Sequence, residues 1–271
     1  MSGVPRTAWL ANIRLHPIKG LDPVSVPEAR IGANGGLELD RVWVLFSVDG
    51  AWINGKRTTA IHHIRAEYDP GVSMVTLTVS GGVAKNNKLK PTTFAFPSDY
   101  ERAARWFSEY FEQTVIVRHI PEGAPDDGLA TGPTIVSTAS LRSVCDLFPG
   151  VEVNEARERF RTTLEINGVP AFWEDQLFGE DERSVVRFQI GEVQFEGSNP
   201  CARCPVPPRN PRTGEILDGF QKRFTQLRES TLPSWSPRQR FDHFYRLATN
   251  TRVAPSEQNK LLRVGDPLQP S

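Results

Sequence analysis

Cysteine is scarce in this chain, with three residues among 271. Cys145 stands alone in an apolar helical pattern, so the three do not form a disulfide framework. No apolar run approaches the roughly 18 residues that a membrane-spanning helix needs. The segment 1–17 also lacks the charged start and apolar run of a signal peptide. These absences predict a protein of the cytoplasm with no membrane partner.

An excess of charge of either sign is also missing. The 32 basic and 32 acidic side chains cancel to a net charge of zero. A general nucleic-acid binder is expected to be basic, so no nucleic-acid partner is predicted. An anion site in this chain must therefore be a local arrangement of Lys and Arg.

Strand patterns dominate the sequence. They are predicted at 9–15, 41–48, 51–54, 73–79, 115–120, 185–190, 192–196 and 241–248. Helices are fewer, at 138–147, 154–160 and 220–229, and one more follows Ser98 or Asp99 with a core-facing stripe from Ala103 to Phe111. The absence of βαβ alternation predicts an α+β fold. The loop 121–133, rich in Pro, Gly and Asp, predicts a boundary between domains 1–120 and 121–271.

The segment 199–208, Asn-Pro-Cys-Ala-Arg-Cys-Pro-Val-Pro-Pro, contains the other two cysteines. Its prolines fix φ and remove backbone donors, which predicts a stiff loop rather than a regular helix or strand. Arg203 lies between Cys201 and Cys204, and a neighbouring cation stabilises a thiolate. The segment therefore predicts a thiol with a chemical or metal-binding task.

Four interpretations of the cysteine pair compete. A structural zinc site needs two more ligands, but the histidines are scattered along the chain. A thioredoxin-like redox pair needs its C-x-x-C at the N-terminus of a helix in an α/β sheet, but here prolines follow the pair in a strand-rich sequence. Two buried, inert cysteines are a third interpretation, which suits Cys201. The fourth is one thiolate that ligates a soft metal while nearby arginines hold the rest of a cofactor.

Several motifs occur in an order typical of one family. They are Gly191-Glu-Val-Gln-Phe-Glu, Pro200-Cys-Ala-Arg-Cys-Pro-Val, Asn210-Pro-Arg-Thr-Gly-Glu, Ala171-Phe-Trp-Glu-Asp and Val264-Gly-Asp-Pro. Together they resemble the MOSC domain, the molybdenum-cofactor sulfurase C-terminal domain. His16-Pro-Ile-Lys and Asp40-Arg-Val-Trp resemble the β-barrel domain that often precedes it. The resemblance covers roughly residues 7 to 268. It implies a strand-dominated α+β protein in which an N-terminal β-barrel-like domain packs on a MOSC β-barrel domain with a few peripheral helices.

The resemblance also implies a cofactor and its ligands. Two-domain proteins of this type, such as the amidoxime-reducing components of mitochondria and bacteria, bind the molybdenum pyranopterin cofactor; pyridoxal phosphate is not expected. The family's metal-ligating and catalytic cysteine falls on Cys204. Its anion-holding positions fall on Lys19, Arg41, Arg161 and Arg203. Arg suits a phosphate through bidentate hydrogen bonds and Lys suits it as a point charge.

Two positions depart from the family pattern. The family commonly has Arg-Pro-Asn after the phenylalanine that corresponds to Phe160, and this chain has Arg161-Thr-Thr163. The hydroxyl of Thr163 can still bond, but it lacks the two donors of an amide. Gly20 replaces a serine and leaves its backbone N–H as the donor, with close approach of a ligand allowed.

The resulting hypothesis is a molybdenum-dependent reductase of small N-hydroxylated or N-oxide compounds. No cysteine-rich ferredoxin-like segment occurs, so electrons would come from a separate iron–sulfur or flavin protein. A sulfur-carrier or cofactor-delivery module with a persulfide on Cys204 is the alternative. A member of the family that has lost the cofactor is a third hypothesis, consistent with Thr163.

Overall fold

The computed structural model describes residues 8–80, 89–125, 128 and 130–270. Fifteen strands and four α-helices in this part of the chain confirm the strand-dominated α+β fold. The strands are β1 Trp9–Leu15, β2 Val24–Val26, β3 Glu28–Arg30, β4 Trp43–Ser47, β5 Ile64–Tyr68, β6 Met74–Val79, β7 Thr92–Ala95, β8 Val115–His119, β9 Ile135–Ser137, β10 Leu164–Asn167, β11 Val186–Ile190, β12 Val193–Ala202, β13 Arg246–Arg252, β14 Leu261–Arg263 and β15 Leu268–Pro270. The helices are α1 Tyr100–Phe111, α2 Thr138–Cys145, α3 Val153–Phe160 and α4 Phe220–Ser230.

The largest sheet has eight strands in the order β15-β11-β12-β13-β9-β10-β1-β2. Only β9 and β10 pair in parallel, and the other neighbours are antiparallel. Strand β1 pairs with β10, so Ile13 lies opposite Leu164 from the far part of the chain. The core on this sheet contains Leu10 and Ile13 together with Phe188 and Phe195. Residues near the N-terminus therefore share one core with the C-terminal half.

A second core lies under two smaller sheets of the N-terminal part. Strands β4 and β8 form one sheet and β5-β6-β7 the other. The pair of β3 and β14 instead contributes Ala29 and Leu262 to the first core. Helix α1 covers the two smaller sheets with Ala103, Trp106 and Phe107, all of which are buried. The apolar stripe predicted from helical periodicity is thereby confirmed.

The domain boundary predicted between residues 120 and 121 stays a prediction. The first two strands of the predicted first domain lie in the eight-stranded sheet, whereas β4 to β8 lie outside it. Residues 126, 127 and 129 of the predicted boundary loop lie outside the described residues, as do 1–7, 81–88 and 271. The buried residues of segments 8–15 and 26–37 lie in the larger core, which a division by composition did not anticipate.

The four helices are short, with 8 to 12 residues each. No helix in the described ranges is long and apolar enough to cross a membrane. The cytoplasmic location stays a prediction.

The cysteine segment differs from the predicted loop. Strand β12 continues through Cys201 to Ala202, and only Arg203 onward is irregular. Pairing with β11 ends at Gly197, beyond which β12 pairs with β13 alone. Pro200, which cannot donate a backbone hydrogen bond, is tolerated there because one side of the strand has no neighbouring strand to receive it. A proline argues against a strand that has neighbours on both sides. It is compatible with the last residues of β12, which have a neighbouring strand on one side only.

Candidate functional site

One cavity of about 480 Å³ brings the predicted site residues together. Its wall combines segments that are far apart in sequence: the turn after β1, the start of the α3–β10 connection, and the segment after β12. Every residue predicted for the site lies in this wall, namely Lys19, Gly20, Arg41, Arg161, Thr163, Arg203 and Cys204. The volume is in the range of small-molecule and cofactor sites in proteins.

The cavity is basic, although the whole chain is neutral. Four acidic residues line it. Eight cationic residues do so, namely Lys19, Arg41, Lys56, Arg65, Arg159, Arg161, Arg203 and Arg209. Walls of low dielectric focus such a field and favour an anionic ligand. A local cluster of Lys and Arg, predicted from the zero net charge, is therefore present.

Lys19 and Gly20 are held by the turn that follows β1. Ile18 forms a parallel bridge with Trp43 of β4, and this fixes the backbone next to Lys19. The Lys19 ammonium donates to the carbonyl of Ala124 at 2.6 Å and lies 4.5 Å from the centre of the Trp52 ring. Gly20 has a φ of 98°, a conformation that favours glycine. The lysine is thus buried and oriented, unlike a solvated turn lysine.

Arg41 is bound to two neighbouring segments. Its guanidinium pairs with Asp40 and donates to the carbonyl of Arg161 at 3.0 Å. Burial raises the pKa of Asp40, but the charge of Arg41 and the hydrogen bonds with His16 outweigh it and hold that pKa well below its usual range. The pair is largely buried, with 15% and 12% of the two side chains exposed. It is therefore not the surface ion pair that the adjacent residues alone would suggest.

Arg161 and Thr163 lie where α3 ends and β10 begins. Arg161 caps the helix in the left-handed conformation, with a φ of 51°. The buried Thr163 hydroxyl accepts from Arg41 at 3.4 Å, and its backbone N–H donates to Thr134 at 3.1 Å. Thr163, which stands where the family commonly has asparagine, therefore still makes a polar contact with Arg41 of the same wall.

Cys204 lies just beyond β12, half-buried in the cavity wall. The preceding Arg203 uses its guanidinium on the protein itself. It donates to the carbonyl of Leu247 at 3.0 and 2.5 Å and to that of Phe160 at 3.0 Å. Arg203 thus fixes the backbone beside the thiol, and its contact with a cofactor stays a prediction. Cys201 also lines the cavity and packs against the apolar cluster around Phe160 and Tyr245.

The cavity wall also contains His62, Arg159 and Arg209, which the sequence interpretation did not assign to the site. Burial, followed by the charges of Arg161 and Arg209, lowers the pKa of His62 to about 4, so its imidazole is neutral at pH 7. Arg159 is 4% exposed although it lies on a helix rich in charged residues. Its i, i+4 spacing to Glu155 is typical of a solvated helix surface, and the sequence carries no signal that Arg159 is buried.

The donor set fits a cofactor that brings most of its own metal ligands. No group of three or more His, Cys, Asp or Glu side chains suited to a metal ion occurs in the described ranges. A bare metal ion would thus have too few protein ligands near Cys204. A thiol that shares a cavity wall with several Lys and Arg residues instead suits a metal carried by an organic, phosphate-bearing cofactor.

Comparison with known proteins gives the family. The model of the MOSC N-terminal beta barrel domain matches residues 7–114, and that of the MOSC domain matches residues 133–269. A molybdenum cofactor sulfurase of Drosophila grimshawi is 23% identical over 96% of this chain and 34% of its own length. Mitochondrial amidoxime reducing component 2 of Bos taurus is 25% identical over 76% of this chain and 68% of its own length.

A second sulfurase, from Drosophila pseudoobscura pseudoobscura, is 24% identical over 66% of this chain and 25% of its own length. The chain therefore spans about a third or less of the sulfurases that it matches. The two domain models between them cover most of the chain, in the order that the motifs predicted. The chain belongs to the MOSC family and carries the MOSC N-terminal beta barrel domain before its MOSC domain.

Proposed function

We propose that this chain binds the molybdenum pyranopterin cofactor and reduces small N-hydroxylated or N-oxide compounds. The observation that carries the proposal is the shared cavity. Cys204 and the predicted anion-holding residues are separated by up to 185 positions in sequence, yet they line one basic cavity. The relationship to an amidoxime reducing component supports the same function.

The residues of the wall have distinct tasks in this proposal. Cys204 would ligate the metal, while Lys19, Arg41 and Arg161 would neutralise the cofactor's phosphate. Gly20 allows close approach of the ligand, and Thr163 presents a hydroxyl from a buried position. Arg203 would hold the backbone of the thiol through its bonds to Leu247 and Phe160.

The reaction consumes two electrons and two protons for each N–O bond that breaks, and it releases water. The bound cofactor would supply this redox chemistry, and the protein would supply binding, orientation and electrostatics. With a pKa of about 4, His62 is a neutral imidazole at pH 7 and has no imidazolium proton to transfer. The protons would therefore come from solvent or from the electron-donor protein rather than from His62.

A separate protein would deliver the electrons. The chain has three cysteines in total, too few for the four-cysteine set of a ferredoxin cluster. An iron–sulfur or flavin reductase is the class of donor that suits this requirement. The donor would need to approach an exposed part of the cavity wall, and Lys56 is one exposed residue of that wall.

The test is a metal analysis with an activity assay. The chain is produced in a host that makes the molybdenum cofactor, and its absorption spectrum, molybdenum content and consumption of an N-hydroxyamidine with reduced methyl viologen are measured. Stoichiometric molybdenum and formation of the amidine are expected. Protein that contains no molybdenum from such a host would contradict the proposal.

The sulfur-carrier function is a second candidate because several relatives are molybdenum cofactor sulfurases. In that case Cys204 would attack the outer sulfur of a donor persulfide and the donor thiolate would leave. The half-buried position of Cys204 in a cavity would protect the new persulfide from solvent. Intact-mass measurement separates the candidates: a gain of one sulfur on Cys204 without molybdenum favours the carrier, and bound pterin favours the reductase.

A further inference from the structure

We propose that Arg159 is a positioning residue for Cys204. Its buried guanidinium holds the segment after the thiol against helix α3, and the sulfur is thereby fixed in the cavity wall. The inference rests on the proposed role of Cys204, but it concerns the free protein and can be tested without cofactor.

Arg159 makes four hydrogen bonds from a buried guanidinium. Its Nε and Nη2 donate to Glu155 at 2.8 and 2.6 Å. Its Nη1 donates to the carbonyls of Pro207 and Arg209 at 2.8 and 2.7 Å. The side chain is 3% exposed, so each of these bonds would be costly to lose. One arginine therefore joins helix α3 to two carbonyls of the segment that follows Cys204.

The segment is held on its other side by Arg203. The backbone N–H of Arg203 donates to the carbonyl of Tyr245 at 3.0 Å, and its guanidinium binds Leu247 of β13. The positions between the two anchors are 204 to 206. Pro205 fixes one of the remaining φ angles. Cys204 therefore lies in a span of three residues with little conformational freedom.

A lysine at position 159 cannot make the same four hydrogen bonds as Arg159. The planar fork of arginine reaches the carboxylate of Glu155 and the two carbonyls at once, whereas an ammonium is a single point charge. Arg159→Lys keeps the charge and loses the fork. The substitution therefore tests geometry rather than charge.

Helix α3 contains a matched control. Arg157, two residues earlier, makes a comparable pair with Glu165, with bonds of 2.6 and 2.7 Å. Its other bond is to Asn154 of the same helix, and it does not belong to the cavity wall. Arg157→Lys therefore loses an arginine fork on α3 with no direct effect on the cysteine segment.

The experiment measures the rate at which iodoacetamide alkylates Cys204 in the cofactor-free protein, with Cys201 as the internal reference. Each rate is read from the cysteine-containing peptide by mass spectrometry, at a temperature at which each variant is folded. If the segment around Cys204 loosens, its half-buried thiol becomes more accessible to the reagent, and the alkylation rate rises about fivefold or more. We expect this increase at Cys204 in Arg159→Lys alone, with Cys201 changed by less than about twofold.

Equal Cys204 rates in Arg159→Lys and Arg157→Lys would overturn the inference. So would an equal rise at Cys201, because that would indicate general loosening. If Arg159→Lys does not fold, Glu155→Gln serves in its place, since it weakens the pair that orients Arg159. An unchanged Cys204 rate in Glu155→Gln would then overturn it. Wild-type protein without molybdenum contradicts the proposed function and leaves this comparison intact.

Discussion

The guanidinium of Arg41 donates to the backbone carbonyl of Arg161 at 3.0 Å, across 120 positions of sequence. Arg41 also pairs with Asp40, a carboxylate that is largely buried. The bond therefore ties the turn before β4 to the end of α3, and it sets two of the proposed anion-holding residues side by side.

Removal of the Arg41 guanidinium should lower the free energy of unfolding substantially. Arg41→Ala leaves Asp40 buried without its cation, and breaking such a pair costs about 3–5 kcal/mol. We expect a fall of this size in the free energy of unfolding from urea denaturation at pH 7, and a reduced cofactor content. The matched control is Arg187→Ala, which removes an ion pair with Glu196 from a side chain that is 71% exposed. It should cost at most about 1 kcal/mol, and equal losses in the two variants would refute the interpretation.

Glu174 should give the protein a distinctive pH dependence. It is 1% exposed, its Oε2 accepts from Ser140 at 2.9 Å, and burial followed by the charge of Asp175 raises its pKa to about 7 from 4.5. Between those values the unfolded chain loses the proton and the folded chain keeps it. The stabilisation from Glu174 is thus complete below about pH 4.5 and is lost as the pH rises through about 7.

The variant Glu174→Gln isolates this contribution. His62 acts in the opposite direction, since its lowered pKa makes stability rise with pH between about 4 and 6.5. The difference between the variant and wild type cancels that effect. We expect this difference in unfolding free energy to change by about 3 kcal/mol in favour of Glu174→Gln between pH 4.5 and 7. A difference that stays constant across the window would show that Glu174 is ionised in the folded protein.

Gly20→Ala should be more damaging than Gly50→Ala. Both glycines have a positive φ, 98° and 79°, so each substitution carries a backbone penalty of about 1–2 kcal/mol. A Cβ on Gly20 would also lie 2.8 Å from Cδ1 of Ile61, whereas a Cβ on Gly50 meets nothing within 4 Å. Ile61 is buried in the core and must shift. Thermal unfolding should therefore show a larger loss at Gly20; equal losses would mean that Ile61 adapts freely.

Local patterns predicted much of the fold. The aromatic stripe of α1 followed from helical periodicity, and Gly191 correctly placed the turn between β11 and β12. The pairing of β1 with β10 could not be predicted, because no local pattern specifies a partner about 150 residues away. The prediction of a loop at Pro200 was wrong, because this proline lies in β12. A strand tolerates proline where it has a neighbouring strand on one side only.

The site was predicted through motifs and not through geometry. The motifs identified Cys204 and Lys19, and the structure places both in one cavity. Arg159 was missed because a charged residue on a helix is normally solvated. Its burial depends on the backbone carbonyls of Pro207 and Arg209, and no local pattern in the sequence places these next to the helix. His62 was missed for a related reason. The pKa of its imidazole depends on burial and on the charges of Arg161 and Arg209, which are distant in sequence.

The molybdenum content of two cysteine variants tests the central claim most directly. Cys204→Ala and Cys201→Ala are produced beside wild type in a host that makes the cofactor. Both cysteines line the cavity, so each variant removes a thiol from the same wall. If Cys204 ligates the metal, wild type and Cys201→Ala contain stoichiometric molybdenum and Cys204→Ala loses it. Stoichiometric molybdenum in Cys204→Ala would contradict the assignment.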